Sequence, residues 1–374
     1  MDCDCVIIGA GLSGLYSAFR LAKAGMSCRV LEARGRLGGR IACAVVPASD
    51  GGAARFDLGP AWVWPDLQPI MARLLDELQV PVFLQATRGA ALYEDALLPA
   101  PERVPGDSPH AQSYRIAGGA LSLVEALAAR LEPQGVLTDR RVTGVAAHAD
   151  GVRIDFEPAD GGVGQLRAAR VITALPLRLL ADSVAFEPPL PPAYMTAFRD
   201  TPTWMAGHAK FVACYKTPFW EQRGLSGEAF SRVGPLMEIH DASPARGGPY
   251  GLFGFYGVPA AERHRLGREA LVRHSLEQLV RLFGPEAANP IHYWIKDWSE
   301  DPLTATAADS EPLMQHPDYG LPAELTSLWD GRVVFAGSET VALNGGYLEG
   351  ALEAGEGAVA RMVDTGNPGR ERRD

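Results

Sequence analysis

The chain has 374 residues, 47% of them hydrophobic and 21% charged, with a formal net charge of −10. That composition belongs to a folded globular protein of one large or two ordinary domains and excludes a disordered chain. The acidic balance argues against nucleic acid as the main partner and mildly favours cationic small molecules, and no stretch reaches the ~20 apolar residues that span a bilayer.

The N-terminus enters the apolar run Cys5–Ile8 with no basic region before it, so neither a signal peptide nor a membrane location is expected. The five cysteines, Cys3, Cys5, Cys28, Cys43 and Cys214, are odd in number, and three lie in or beside apolar runs. They read as reduced thiols in a cytoplasmic setting. Cys3-Asp4-Cys5 lacks the spacing of a zinc site, and no metal is expected.

The first element is a β-α-β unit. Cys5–Ile8 reads as a buried strand, Gly9, Gly11 and Gly14 form G-x-G-x-x-G at the turn into a helix, Gly25 stops that helix, and Cys28–Leu31 is a second strand ending at Glu32. In such a unit the first glycine permits the turn, the second lets backbone approach a pyrophosphate, and the third lets helix and strand pack closely. The helix start, with Ser13 in it, offers free N–H groups to phosphate, and an acid at Glu32 accepts bonds from an unphosphorylated ribose. The pattern predicts a dinucleotide site without separating NAD from FAD.

"EARGRLGGR" follows, then "DLGPAWVW" from Asp57. Only 49 residues, 65–113, separate Trp64 from Tyr114. They read as one amphipathic helix, Ile70–Leu78, and a Pro-rich loop from Leu97 to His110. "SYRIAGGALSLVEALAARL" reads as a Gly-Gly turn into a helix, the stretch around Val142 as a strand, and "RVITALPLRLL" as a return strand into a turn.

"GHAKFVACYKTPFW" raises a specific question. On a strand, Ala209, Phe211, Ala213 and Tyr215 share one face, and Lys210, Val212 and Cys214 the other. Neither face is polar, so Lys210 is buried, and lysine is rarely buried without a task. Further strands are expected around Met237 and over Gly251–Tyr256. A helix from Glu269 to Phe283 should bury Leu271, Leu276, Leu279, Val280 and Phe283. "YWIKDWSEDP" precedes a last strand-turn-helix, with strand Val333–Ala336, Gly337, and Gly345-Gly346-Tyr347 opening a helix of small residues that must pack very close to a neighbour.

Taken together, these motifs resemble the flavin amine oxidase family along the whole chain. The resemblance rests on Gly9–Glu32, the "EARGRLGGR" run, Lys210 with Pro218-Phe219-Trp220, Lys296-x-Trp298, and Phe335-Ala336-Gly337 with Glu339 and Gly346-Tyr347. It implies an α/β (overall α+β) protein with a Rossmann-like FAD-binding domain and a discontinuous mixed-sheet substrate domain. The FAD-binding domain would be 1–64 with 114–190 and 326–366, and the substrate domain 65–113 with 191–325. Residues 367–374 would be a flexible tail.

The resemblance assigns Gly9, Gly11, Ser13, Gly14, Glu32, Arg34, Arg40, Leu58, Gly59, Pro60, Val142, Gly337, Glu339 and Leu348 to FAD. Pro60 stands where glycine is commoner. Glu339 would bind the ribityl or pyrophosphate region, and the backbone of Val142 would meet adenine. Lys210 would reach flavin N5 through a water, Trp298 would pack by the ring, and Tyr347 would form a cage wall on the substrate side. Trp62, Trp64, Trp204, Phe255 and Tyr256 are the candidates for a second wall.

The implied reaction oxidises an amine C–N bond to an imine by hydride transfer to N5, with dioxygen reoxidising the flavin to give H2O2. "SEDPLTATAADSEPL" lacks the cysteine of covalent members, so FAD should be non-covalent. The short 65–113 segment implies a reduced substrate domain and an open site. A flavin desaturase or dehydrogenase acting on a non-amine substrate, and a flavin-bound protein with little turnover, stay open beside this reading. The oligomeric state stays open as well, a homodimer being one option.

Overall fold

The computed structural model describes residues 1–48, 51–104, 110, 112–310, 313 and 315–364. The expected tail, 367–374, lies outside them. Two large sheets organise the chain. In the first, the strands run in the order Ala185–Glu187, Arg140–His148, Gly151–Pro158, Gly164–Thr173, Cys3–Ile8, Cys28–Leu31, Val136–Leu137. Cys3–Ile8 is parallel to both neighbours, with Val6 opposite Val171 and Cys5 opposite Cys28. Val333–Phe335 joins Gly164–Thr173 in parallel near its end. Strands buried on both faces need apolar residues throughout, which is why Cys5–Ile8 reads as a continuous apolar run rather than an alternating one.

Two helices lie together on this sheet, Leu12–Lys23 and Leu348–Asp364. The small residues of the second are there because a Cβ on Gly355 would sit 3.1 Å from Ser17 Oγ and 3.2 Å from the Ser13 carbonyl of the first. At its start, Gly350 is obligatory, since a Cβ there would fall 1.9 Å from the Asn344 carbonyl oxygen.

The second sheet runs His292–Asp297, Ala209–Tyr215, Tyr250–Tyr256, Leu236–Asp241, Leu225–Ser231, Ala90–Glu94, Glu102–Val104. Its pairs are antiparallel except that of Leu225–Ser231 with Ala90–Glu94, so the sheet is mixed. Helix Arg268–Phe283 covers one face, and its buried positions are Leu271, Ser275, Gln278, Leu279, Leu282 and Phe283. Leu276 and Val280, expected inside, are only partly buried, and Leu282 takes the deeper place. Gln278 earns its burial by bridging the N–H and carbonyl of Leu236 at 2.9 and 2.8 Å.

The 65–113 segment holds more structure than its sequence showed. Its helix spans Pro69–Glu77, and strands Val82–Leu84, Ala90–Glu94 and Glu102–Val104 follow. Glu102–Val104 falls inside the stretch read as a Pro-rich loop. It is an exposed edge strand whose three side chains carry no alternating pattern, so pairing with Ala90–Glu94 rather than local sequence makes it a strand.

Helix Pro69–Glu77 has no side-chain cap of its own. The buried carboxylate of Glu349 takes that part from the last helix, accepting the N–H groups of Ile70 and Met71 at 2.8 Å each. Burial pushes the Glu349 carboxyl up, and those two N–H bonds pull it back. Glu349→Ala should cost about 1–3 kcal/mol in denaturant unfolding, the price of leaving buried donors unmet. Breaking the exposed Lys23–Glu77 pair with Lys23→Ala should cost within ~1 kcal/mol. Equal costs for the two would refute the capping role.

Candidate active site

Between the two sheets lies a cavity of about 840 Å³, within the ~300–1,000 Å³ of small-molecule sites. The β-α-β unit supplies one end. Gly11 caps helix Leu12–Lys23 at φ −71° with no side-chain cap and no acid in the first turn, so the unpaired N–H groups and positive end of the helix face the cavity. No atom lies within 4 Å of where a Cβ on Gly11 would sit, whereas a Cβ on Gly14 would fall 1.9 Å from the Gly9 carbonyl oxygen. Gly9, at φ +100°, makes the turn that brings these together. Glu32 is 4% exposed, and its carboxylate accepts the N–H groups of Ala10 and Arg34 at 2.8 and 2.9 Å. Those bonds aim the acid at the cavity and leave lone pairs for a sugar hydroxyl. Val142 lines the same end, where the strand pairing slips between Val142 and Gly144.

The Gly-Gly-Arg run and the last strand-turn-helix meet over the cavity. Arg40 donates to both oxygens of Glu339 at 2.6 and 3.2 Å, to Ser338 Oγ at 2.8 Å and to the Trp204 carbonyl at 3.1 Å. Burial alone would raise the Glu339 carboxyl, but Arg40 holds it below its ordinary value. Arg34 donates to Asp301 at 2.5 Å and to Thr304 at 3.0 Å.

Of the residues expected to hold FAD, Gly9, Gly11, Ser13, Glu32, Arg34, Arg40, Leu58, Gly59, Pro60, Val142, Gly337 and Leu348 line this cavity. Gly14 lies beneath it. Glu339 does not line it: the side chain is 1% exposed and engaged by Arg40. The acid fixes the arginine that faces the cavity.

Lys210 occupies the other side. Its strand, Ala209–Tyr215, is buried at every position. Nζ donates to the Gly59 carbonyl at 2.8 Å and the Asp57 carbonyl at 3.1 Å, and it lies 4.1 and 5.3 Å from the ring centres of Phe253 and Phe255. Burial pushes the ammonium down to about 7, with the Asp57 carboxylate pulling upward and Arg115 pushing down. Trp298 is 6% exposed and donates from Nε1 to the Leu58 carbonyl at 3.2 Å, with Lys296 Nζ 4.2 Å from its ring centre. Tyr347 is 39% exposed and backed by His316, whose ring stacks on it at 4.9 Å and 4°.

Four of the five candidate wall aromatics, Trp62, Trp64, Trp204 and Phe255, line the cavity. Tyr256 does not. Successive strand residues point to opposite faces, and its hydroxyl meets Ser275 Oγ at 3.0 Å under the covering helix. The sequence reading also missed His110, His208 and Glu238, which line the cavity as well. Only the alternation of the Leu236–Asp241 strand carried any signal for Glu238.

The geometry fits FAD. A helix start with an open backbone cradle, an acid at the ribose end and a buried lysine opposite lie along one cavity long enough to hold all three. A family model for flavin-containing amine oxidoreductases matches residues 106–363, and one for NAD(P)-binding Rossmann-like domains matches residues 7–78. A protein of Mycobacterium tuberculosis named as a flavin-containing monoamine oxidase, AofH, is 32% identical over 68% of this chain; the match spans about half, 53%, of that relative's length. Putrescine oxidase of Kocuria rosea is 27% identical over 97% of this chain and 96% of its own. Among solved structures, putrescine oxidase bound to putrescine superposes with a TM-score of 0.80 at 22% identity, covering 97% of this chain and 99% of that one, a likeness of fold.

The two glycines separate folding from binding. Gly11→Val should fold with its thermal midpoint nearly unchanged and lose FAD on gel filtration, because its side chain would fill the cradle. Gly14→Val should lose about 1–3 kcal/mol or more of stability from overpacking. Retention of FAD by folded Gly11→Val would place the pyrophosphate elsewhere.

Proposed function

The chain belongs to the flavin-containing amine oxidoreductase family, and on that premise we propose that it is an FAD-dependent oxidase of a small-molecule amine, with the flavin held non-covalently. The observation that carries this reading is Lys210, a fully buried cation on the cavity wall held by two backbone carbonyls rather than by a carboxylate. When bound, FAD supplies the hydride acceptor at N5, and dioxygen restores it with release of H2O2. Among the described residues no cysteine lines the cavity, which favours non-covalent attachment over a thioether.

In this reading the helix start at Gly11 and Ser13 holds the pyrophosphate, Glu32 the adenosine ribose, and the backbone at Val142 the adenine. Leu348 and Ala351, at the start of the last helix, line the cavity and present a positive helix end to the flavin ring. The aromatic walls, Trp62, Trp64, Trp204, Phe255 and Tyr347, exclude water from the amine. A dry wall and a lysine cation both favour the neutral amine, whose lone pair assists hydride loss. Lys210 changes charge near neutrality, so Nζ can hold or release a proton at working pH. The free thiols fit a cytoplasmic protein, and among the described residues no helix is long and apolar enough to cross a membrane.

Anaerobic addition of a panel of amines to the yellow protein should bleach the visible flavin absorbance. Bleaching by non-amine donors alone would turn the reading to a desaturase or dehydrogenase, and no bleaching at full FAD content to a binding protein.

Lys210→Met should keep FAD and slow reoxidation by dioxygen about 10²-fold or more. The wild-type rate should show an inflection near pH 7 that the variant lacks. An unchanged reoxidation rate would remove Lys210 from the chemistry.

A further inference from the structure

A second constellation of ligand-type side chains stands at the cavity, two of them on its wall and His240 buried behind, outside the residues assigned to flavin or amine. Glu238 and His240 are two apart on the Leu236–Asp241 strand and project to one face. His110 reaches the same place from the chain ahead of strand Tyr114–Ile116. His240 Nε2 is 2.7 Å from Glu238 Oε1, and His110 Nε2 is 3.4 Å from that oxygen. The three ligand atoms lie within 4.8 Å of one another. Trp62 holds both imidazoles in place, stacked on His110 at 4.3 Å and edge-on to His240 at 4.9 Å.

Each imidazole is also engaged at its far nitrogen. Glu228, 2% exposed on the neighbouring strand, lies 3.5 Å from His240 Nδ1. Ser113 Oγ lies 3.4 Å from His110 Nδ1. In the metal-free protein His240 Nε2–H donates to Glu238 Oε1, and Glu228 at Nδ1 is the partner that would hold the imidazole once a metal replaces that hydrogen. Four-coordinate zinc with metal–ligand bonds of ~2.0–2.2 Å sets its ligand atoms roughly 3.3–3.6 Å apart. The two separations to Glu238 Oε1, 2.7 and 3.4 Å, are within an ångström of that.

We propose that His110, Glu238 and His240 form a binding site for a divalent transition-metal ion of the zinc type, whose remaining coordination positions open onto the cavity. Two imidazoles and one carboxylate select such an ion over Mg²⁺ or Ca²⁺, which prefer all-oxygen shells. The sequence reading expected no metal because it sought cysteine spacing, whereas the fold gathers these ligands from distant positions. A metal ion binds only unprotonated imidazoles, so its binding weakens as pH falls.

The test is metal binding itself, independent of any amine turnover. The FAD-loaded protein, freed of affinity tag and of metal by chelation, is titrated calorimetrically with Zn²⁺ in two buffers of different ionisation enthalpy, and optically with Co²⁺. The expected result is saturation at one ion per chain with proton release, weaker binding at lower pH, Co²⁺ bands of a low-coordinate site, and no competition by Mg²⁺. His240→Asn and Glu238→Gln should weaken binding at least tenfold, and Glu228→Gln about 10–100-fold, with FAD content unchanged. The absence of saturable binding to the wild type, or equal affinity in the wild type and His240→Asn, overturns the site. Should the variants lose FAD, the Co²⁺ spectrum of the wild type decides: only the weak bands of six-coordinate Co²⁺ would refute the site.

Discussion

The cavity depends first on the ion pair of Arg40 and Glu339. These two residues, with the backbone of Trp204, bring together three segments far apart in the chain. Glu339 Oε1 accepts from Arg40 and also from the Trp204 N–H at 3.2 Å, while Arg40 donates to the Trp204 carbonyl. Breaking one member of such a buried pair costs about 3–5 kcal/mol, because the other charge is left without compensation. Here the loss would also be geometric. Arg40, Ser338 and Trp204 all face the cavity, so the pair sets the shape of the wall where the two sheets meet.

Lys210 works by the opposite principle. Its acceptors are carbonyls, which satisfy its N–H groups but do not cancel its charge. The neighbouring Asp57 carboxylate accepts the Ala120 N–H at 2.8 Å instead of binding the lysine, and Arg115 spends its donors on the carbonyls of Ala242 and Ser243. Arg40 is locked as a permanent cation by a carboxylate, whereas Lys210, lacking one, sits near the neutral point of its own titration. The same buried environment thus makes one cation a strut and leaves the other able to exchange a proton.

Local sequence carried the parts of this arrangement that depend on backbone constraint. Gly9 and Gly14 were legible because only glycine fits the turn and the 1.9 Å approach, and Gly11 because a side chain there would fill the open cradle. Lys210 was legible because a charge amid a run apolar on both faces contradicts its surroundings. What stayed hidden was long-range pairing. Nothing near Glu339 says that Arg40 will occupy it, and nothing near Glu102–Val104 says that Ala90–Glu94 will pair with it. Of the alternatives Phe255 and Tyr256, strand alternation lets only one face the cavity, and it is Phe255. His110 meets Glu238 only after Trp62 and its bridge from Val63 to Tyr114 have set the wall.

The short 65–113 segment changes how precision is achieved. Tyr347 is 39% exposed although it stands at the cavity, so among the described residues no element clamps it from above. It is fixed from behind instead. His316 lies flat against its ring, and His316 Nε2 is in turn 2.9 Å from the Gly345 carbonyl. Gly346, at φ +80°, makes the turn that presents Tyr347, and a Cβ there would fall 2.5 Å from Trp204 Cβ. Trp204 is itself anchored through its backbone by Arg40 and Glu339. The aromatic wall therefore inherits its position from the buried ion pair through a continuous line of contacts. A wall held by the core rather than by a lid can still keep its aromatic side chains in register with the cavity.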